Sequence, residues 1–204
     1  MCLEFYRIIN ALPEREFMEK LIIYNISPVI AGVKPASTIT FNKNEFNTYE
    51  GFVKYGDEII KNLSLDYIVL RVTEDIIVTL IYNDENLLMQ LSEVETKNFL
   101  VKLGYDEKLS VNSYLNTLKI RYNKYHCPHE IGLFLGIPFR DVDDFINCSE
   151  KKCLLCGYWK VFNNEERARK LFKLYDDIKL KTQTSILNGY NKKTIIMCIK
   201  ALVA

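Results

Sequence analysis

Three cysteines lie close together in the chain, at Cys148, Cys153 and Cys156. Four residues separate the first pair and two separate the second, which is the spacing of three of the four thiolates that hold a plant-type iron–sulfur cluster. Cys127 or Cys198 would then supply the fourth thiolate. The spacing therefore makes an iron–sulfur cluster a possible cofactor, with the three clustered cysteines as candidate metal ligands.

Zinc is the other metal that these residues could hold. Cys153 and Cys156 could pair with His126 and His129, because two intervening residues let both members of such a pair approach one tetrahedral ion. However, the residues between the two cysteines are leucines, and the turn lacks the usual glycines. We therefore favour free thiols that pack as small apolar side chains.

Other residue types suited to chemistry are scattered along the chain. His129, directly after Pro128, could act as a general base that Glu130 tunes. Lys34 could meet an anionic ligand, and Trp159 is a candidate for stacking on a ligand or cofactor. Each has a simpler interpretation: a helix cap for the histidine, a solvated loop lysine and a buried ring. Because an enzyme needs such groups in one cleft, the distance between Lys34 and His129 would separate the two interpretations.

Two short helices are predicted to meet at a tight corner. Gly132, Gly136, Val142 and Phe145 have the spacing of a helix-turn-helix, with a turn glycine between apolar contacts. The second helix carries three carboxylates and one guanidinium over residues 140–144. Because these carboxylates would repel a nucleic-acid backbone, we predict an αα-corner and no nucleic-acid partner.

Composition describes an ordinary globular protein. The chain has 204 residues, a formal net charge of +1 and 49% hydrophobic residues, enough for a sizeable core. No run of residues is long and apolar enough to span a bilayer, and the first residues lack the pattern of a signal peptide. We therefore expect a cytoplasmic protein with no membrane partner, whose six cysteines are thiols or metal ligands rather than disulfides.

The chain contains strand and helix patterns without repeats or convincing linkers. Residues 66–72 and 75–82 are β-branched and apolar and are separated by two residues, which predicts a hairpin. A further strand is predicted at about 37–42. The fold class is α+β: a small, mostly antiparallel sheet with a central hairpin, packed against several helices. We predict one domain over 1–180 and a C-terminal appendage over 181–204.

Helix boundaries follow from caps and breakers. Pro13 should open a helix that Pro28 ends. Ser92 and Glu95 form a capping box, and Gly104 stands where a C′ glycine belongs. Further helices are predicted at 46–63, from Ser110, and from Asn163 to about 180, the last preceded by a strand at 157–162.

Several of these segments together resemble a known bacterial family. They are SPVIAGVKPAS (27–37), FLVKLGYD (99–106), PHEIGLFLGIPFRDVDDFI (128–146) and GYWKVF (157–162). In this arrangement the chain is similar, over roughly residues 12–180, to a family catalogued as domain of unknown function 3793. The resemblance implies a bacterial protein from an anaerobe and carries no activity with it.

The expected function is that of a small cytoplasmic module that binds a small molecule or a protein partner without catalysis. One alternative is an enzyme with a pocket around His129, Glu130 and Lys34. The other is a protein that binds zinc or an iron–sulfur cluster through Cys148, Cys153 and Cys156.

Overall fold

The chain is mainly helical, with two small antiparallel sheets. The computed structural model describes residues 3–148 and 150–203. No helix within these residues is long and apolar enough to cross a bilayer. The elements in chain order are α1 (Leu3–Asn10), α2 (Glu14–Asn25), α3 (Ser27–Ile30), β1 (Ala36–Asn42), α4 (Thr48–Lys61), β2 (Asp66–Val72), β3 (Ile76–Tyr82), α5 (Asp84–Ser92), α6 (Val94–Lys102), α7 (Val111–Tyr125), α8 (Ile131–Phe134), α9 (Phe139–Asn147), β4 (Leu155–Cys156), β5 (Lys160–Val161), α10 (Glu165–Leu187) and α11 (Lys192–Lys200).

The backbone divides into two compact units. The first combines the described residues up to Asn83 with those from Asp177 onward, and the second is Asp84–Asp176. The boundaries predicted at 180 and 181 stay a prediction. Residues 181–203 are largely helical, in the end of α10 and in α11.

The first unit is built on a three-stranded antiparallel sheet in the order β1-β3-β2, so the predicted α+β class and hairpin are confirmed. β3 lies in the centre and is almost wholly buried. The hairpin turn is displaced by one residue from its predicted place. The Thr73 backbone N–H donates to the Ile76 carbonyl at 2.9 Å, so Glu74 and Asp75 occupy the turn.

Helices of the first unit cover this sheet and one another. Phe52 of α4 stacks on Phe41 of β1, with the ring centroids 4.3 Å apart. α2 begins after Pro13 as predicted, but Pro28 lies inside the short helix α3 rather than ending α2. At the end of the chain, α11 packs on α3, and the Lys20 ammonium donates to the Tyr190 carbonyl at 2.9 Å.

The second unit contains α5 to α9, the β4–β5 hairpin and α10 as far as Asp176. Gly104 takes a positive φ of 94°, and the Tyr105 N–H bonds to the Leu100 carbonyl, which confirms the C′ glycine. The capping box at Ser92 was wrong. The Ser92 hydroxyl donates to the Leu88 carbonyl at 2.6 Å, and Glu93 takes the N-cap position.

The segment predicted as one strand at 157–162 is instead the turn and second strand of a short hairpin. β4 pairs with β5 through Leu155 and Val161 and through Cys156 and Lys160. The hairpin packs on α10, where the Trp159 ring meets Phe172 edge to face at 4.5 Å. A Cβ at Gly157 would lie 2.4 Å from the Phe172 ring, so this close packing leaves no room for a side chain there.

Candidate functional site

The αα-corner forms as predicted and positions the candidate site. α8 packs against α9, and Gly136 between them has a positive φ of 80°. A Cβ at Gly132 would approach the Val142 side chain to 3.0 Å, so this glycine lets the two helices come close. The start of α9 is thereby fixed, and with it the side chains of Arg140 and Asp141.

Asp141 is a buried carboxylate that receives four hydrogen bonds. Its side chain and backbone together are 2% exposed. The Trp159 indole N–H donates to Oδ2 at 2.8 Å. The backbone N–H groups of Phe162 and Asn163 donate to Oδ1 at 3.0 and 2.8 Å, and the Asn163 side-chain amide donates to the same oxygen at 3.0 Å. Asp141 therefore holds the β4–β5 hairpin and the Trp159 ring against α9.

Asp144, one turn further along α9, extends this polar network. It accepts hydrogen bonds from the Asn163 amide at 2.7 Å and from the Lys151 ammonium. The Lys151 ammonium and then the Asn163 amide lower the pKa of Asp144. The Asn163 side chain therefore bonds to α9 and does not cap α10 as predicted. Asn164 caps α10 instead, because its side chain accepts a hydrogen bond from the Arg167 backbone N–H at 3.1 Å.

A cleft of about 610 Å³ opens beside this network, entirely within the second unit. Its walls come from the end of α5 and the start of α6, from residues 138–141 at the start of α9, and from residues 162–171 around the first turns of α10. Trp159 and Asp141 also line it. A volume of this size suits a metabolite-sized ligand, for which pockets of roughly 300–1,000 Å³ are typical.

Besides the buried Asp141, four charged side chains line this cleft: Arg140 and Arg167 carry positive charge, and Glu93 and Glu95 carry negative charge. Within the part of the chain that the structure describes, no ion pair engages any of the four. By contrast, Arg169, which is exposed on α10 as Arg167 is, is paired with Glu165 at 2.6 Å. The cleft thus presents both signs of charge without an internal partner.

A smaller pocket of about 220 Å³ lies on the same hairpin. Trp159 and Asp141 line it too, together with apolar side chains of α8 and α9. His129 also lines it, and its ring meets Phe145 edge to face at 5.0 Å. Two of the predicted site residues, His129 and Trp159, are therefore brought together here.

Glu130 is held away from both clefts in a buried polar cluster. The carboxylate is paired with the Arg121 guanidinium and accepts a hydrogen bond from the Tyr105 hydroxyl at 3.3 Å. A second guanidinium nitrogen donates to the Leu103 carbonyl at 3.0 Å. Burial and the Glu130 charge raise the pKa of Tyr105. These contacts describe a structural role for Glu130, and neither cleft is lined by it.

Lys34 lies in the first unit, whereas His129 and Glu130 lie in the second. A pocket shared by all three stays a prediction. Burial, with a smaller contribution from the nearby Lys179 charge, lowers the pKa of Lys34 to about 8. Its environment therefore disfavours the ammonium form.

The three candidate metal ligands, Cys148, Cys153 and Cys156, lie in different environments. Cys148 is exposed, and the neighbouring Asp144 carboxylate raises the pKa of its thiol. The Cys153 thiol donates to the Leu155 carbonyl at 3.0 Å, and Cys156 is exposed in β4. Among residues 3–148 and 150–203, no three histidine, cysteine or acidic side chains are arranged to hold a metal ion. The five cysteines within this range are free, and Cys2 lies outside it.

Comparison with known proteins places the chain in a family. The family model described as protein of unknown function (DUF3793) matches residues 22–196. The chain therefore belongs to this family, as the resemblance in the sequence suggested. No curated protein and no solved structure matches it.

Proposed function

We propose that this protein is a binding module whose second unit holds a small zwitterionic ligand, such as an amino acid or short peptide, in the 610 Å³ cleft without converting it. The predicted bacterial and cytoplasmic setting belongs to the same proposal. The observation that carries it is the pair of arginines, Arg140 and Arg167, which line the cleft and have no ion-pair partner among the described residues.

The difference between paired and unpaired basic residues along α10 supports the proposal that the cleft arginines bind a ligand. Arg169 and Lys170 each pair with a glutamate one turn earlier, at 2.6 and 2.7 Å, as surface side chains on a helix commonly do. Arg167 precedes both of them in the sequence and lines the cleft instead. A guanidinium is well suited to a carboxylate because it offers several donors in one plane.

The two glutamates of the cleft extend the argument to the other end of the ligand. Glu93 and Glu95 are exposed and unpaired among the described residues, so they are available to accept hydrogen bonds from an ammonium group. A ligand that carries a carboxylate and an ammonium group would satisfy both pairs. Trp159 and Asp141, which line the cleft, are already fixed by a hydrogen bond to each other, which reduces the entropic cost of binding.

Binding without catalysis is favoured by the state of the unit's buried carboxylates. A general acid or base must reach the reacting group. The Asp141 oxygens already accept four hydrogen bonds, and Glu130 is engaged by Arg121 and Tyr105. The enzyme and metal alternatives, like a protein partner, stay predictions.

The test is calorimetric titration of the protein with single amino acids and dipeptides. For each compound, the analogue without the amine and the analogue without the carboxylate are titrated as well. Arg140→Gln and Arg167→Gln should each weaken binding by about 10- to 100-fold, since each removes a charge-assisted hydrogen bond worth roughly 1.5–3 kcal/mol. Arg169→Gln is the matched control and should leave affinity unchanged.

Both halves of the ligand should be needed. The analogues that lack one charged group should bind more weakly than the parent compound. The proposal fails if no zwitterion binds at millimolar concentration, or if Arg169→Gln weakens binding as much as Arg167→Gln does.

A further inference from the structure

The 220 Å³ pocket has a character different from that of the larger cleft. Its walls are mainly apolar side chains of the corner, such as Ile131, Leu135, Ile137 and Val142. Asp141 also lines it, and its carboxylate already accepts four hydrogen bonds, from Trp159, Phe162 and Asn163. The interior therefore suits an apolar body.

The size of the pocket limits that body to a few carbon atoms or one ring. An apolar cavity of about 150 Å³ is enough to hold a benzene molecule in an engineered protein. The volume here, about 220 Å³, leaves room for one additional small group.

Two basic side chains, Lys160 and His129, line this mainly apolar pocket. The Lys160 ammonium lies 5.6 Å from the centroid of the Phe145 ring, and the His129 ring contacts the same phenylalanine. In the described part of the chain, no carboxylate pairs with Lys160 and no hydrogen bond engages the His129 side chain. An anionic group of a ligand would therefore meet a cation and a potential donor beside an apolar wall.

We propose that this pocket binds a small carboxylic acid with an aliphatic or aromatic body. The body contacts the apolar side chains of α8 and α9 and the Trp159 ring. The carboxylate pairs with Lys160 and accepts a hydrogen bond from His129. The basic residues of this site, Lys160 and His129, differ from those of the proposed zwitterion site, although Asp141 and Trp159 line both, and neither proposal depends on the other.

Benzoate is the probe, with benzyl alcohol as its uncharged counterpart. Trp159 is the chain's one tryptophan, so its fluorescence reports binding, and calorimetry gives the affinity. A ligand of this size should bind with a dissociation constant of about 0.1–1 mM. Lys160→Met should weaken benzoate at least tenfold and leave benzyl alcohol unchanged, because only benzoate carries the charge.

Lys152→Met is the matched control, since Lys152 is an exposed lysine of the same unit that does not line the pocket. It should leave both affinities unchanged, and so should Arg167→Gln. The proposal is overturned if benzoate up to 10 mM, roughly ten times the weakest expected dissociation constant, produces neither heat nor a fluorescence change. It is also overturned if Lys160→Met and Lys152→Met have the same effect.

Discussion

Replacing Asp141 by asparagine should destabilise the second unit more than any other removal of a single carboxylate charge from α9. The substitution keeps the size of the side chain and exchanges one oxygen for an amide NH₂. If the remaining oxygen keeps the three N–H groups that now bond to Oδ1, the new NH₂ faces the Trp159 indole N–H. Two donors then face each other in a buried site.

The magnitude follows from what is lost. A hydrogen bond to a charged group contributes roughly 1.5–3 kcal/mol, and leaving a buried donor unpaired costs about 1–3 kcal/mol. The three remaining hydrogen bonds also lose their charge assistance. Because these contributions overlap, Asp141→Asn should lower the free energy of unfolding by about 2–4 kcal/mol.

Urea unfolding followed by Trp159 fluorescence measures this loss in the unit where it occurs. With a slope of roughly 2 kcal/mol per molar urea, the midpoint should fall by about 1–2 M. Asp143→Asn is the matched control, since it makes the same charge change on the same helix. Among the described residues, Asp143 accepts one hydrogen bond, from the Asn147 amide at 2.8 Å on the surface, and losing that bond should cost less than about 0.5 kcal/mol. Equal midpoints for the two variants would refute the role given to Asp141.

Two further substitutions test the charges outside the clefts. Glu130→Gln should lower the free energy of unfolding by about 2–4 kcal/mol because it leaves the Arg121 charge partly buried and unpaired. The control Asp57→Asn breaks an exposed ion pair on a helix and should cost less than about 0.5 kcal/mol. Similar losses for both variants would contradict a structural role for Glu130. For Lys34, whose pKa falls from 10.5 to about 8 on folding, the unfolded chain binds more protons between these pH values, so stability should rise with pH there. Lys34→Met should therefore raise the free energy of unfolding at pH 7, by on the order of 1–2 kcal/mol for this half-buried group. Unfolding followed by circular dichroism should show that this gain vanishes above about pH 10.5. A gain that is independent of pH would argue against the effect of burial on the Lys34 pKa.

Much of the fold was accessible from the sequence because it depends on local patterns. The hairpin of β2 and β3 combines β-branched apolar runs with a short turn, and such runs have few alternatives to pairing with each other. The C′ glycine at Gly104 was likewise predictable, because a positive φ at a helix end favours glycine.

Caps were less predictable because a polar side chain has several possible partners. Ser92 bonds back to the Leu88 carbonyl instead of capping α6, and Asn163 bonds to Asp141 and Asp144 instead of capping α10. The sequence shows that a donor or acceptor is present but not which partner is nearest. For the same reason, the spacing of Cys148, Cys153 and Cys156 suggested a metal site, which stays a prediction. Spacing along the chain does not fix the direction of each thiol.

The site around Asp141 was missed, although one half of it could have been anticipated. A tryptophan ring packed against a helix needs an acceptor for its N–H, so Trp159 implied a buried polar partner.

The sequence of α9 does not show which aspartate is that partner. At 100° per residue, Asp141 and Asp143 lie on opposite flanks of the apolar stripe formed by Phe139, Val142 and Phe145, at roughly equal angles from it. Periodicity therefore does not distinguish the two aspartates. What selects Asp141 is the reversal of the chain at β4 and β5, which brings three backbone and side-chain donors of residues 162–163 to the same flank. A carboxylate that the sequence presents as one of three surface charges thus becomes the centre of the fold around both proposed binding sites.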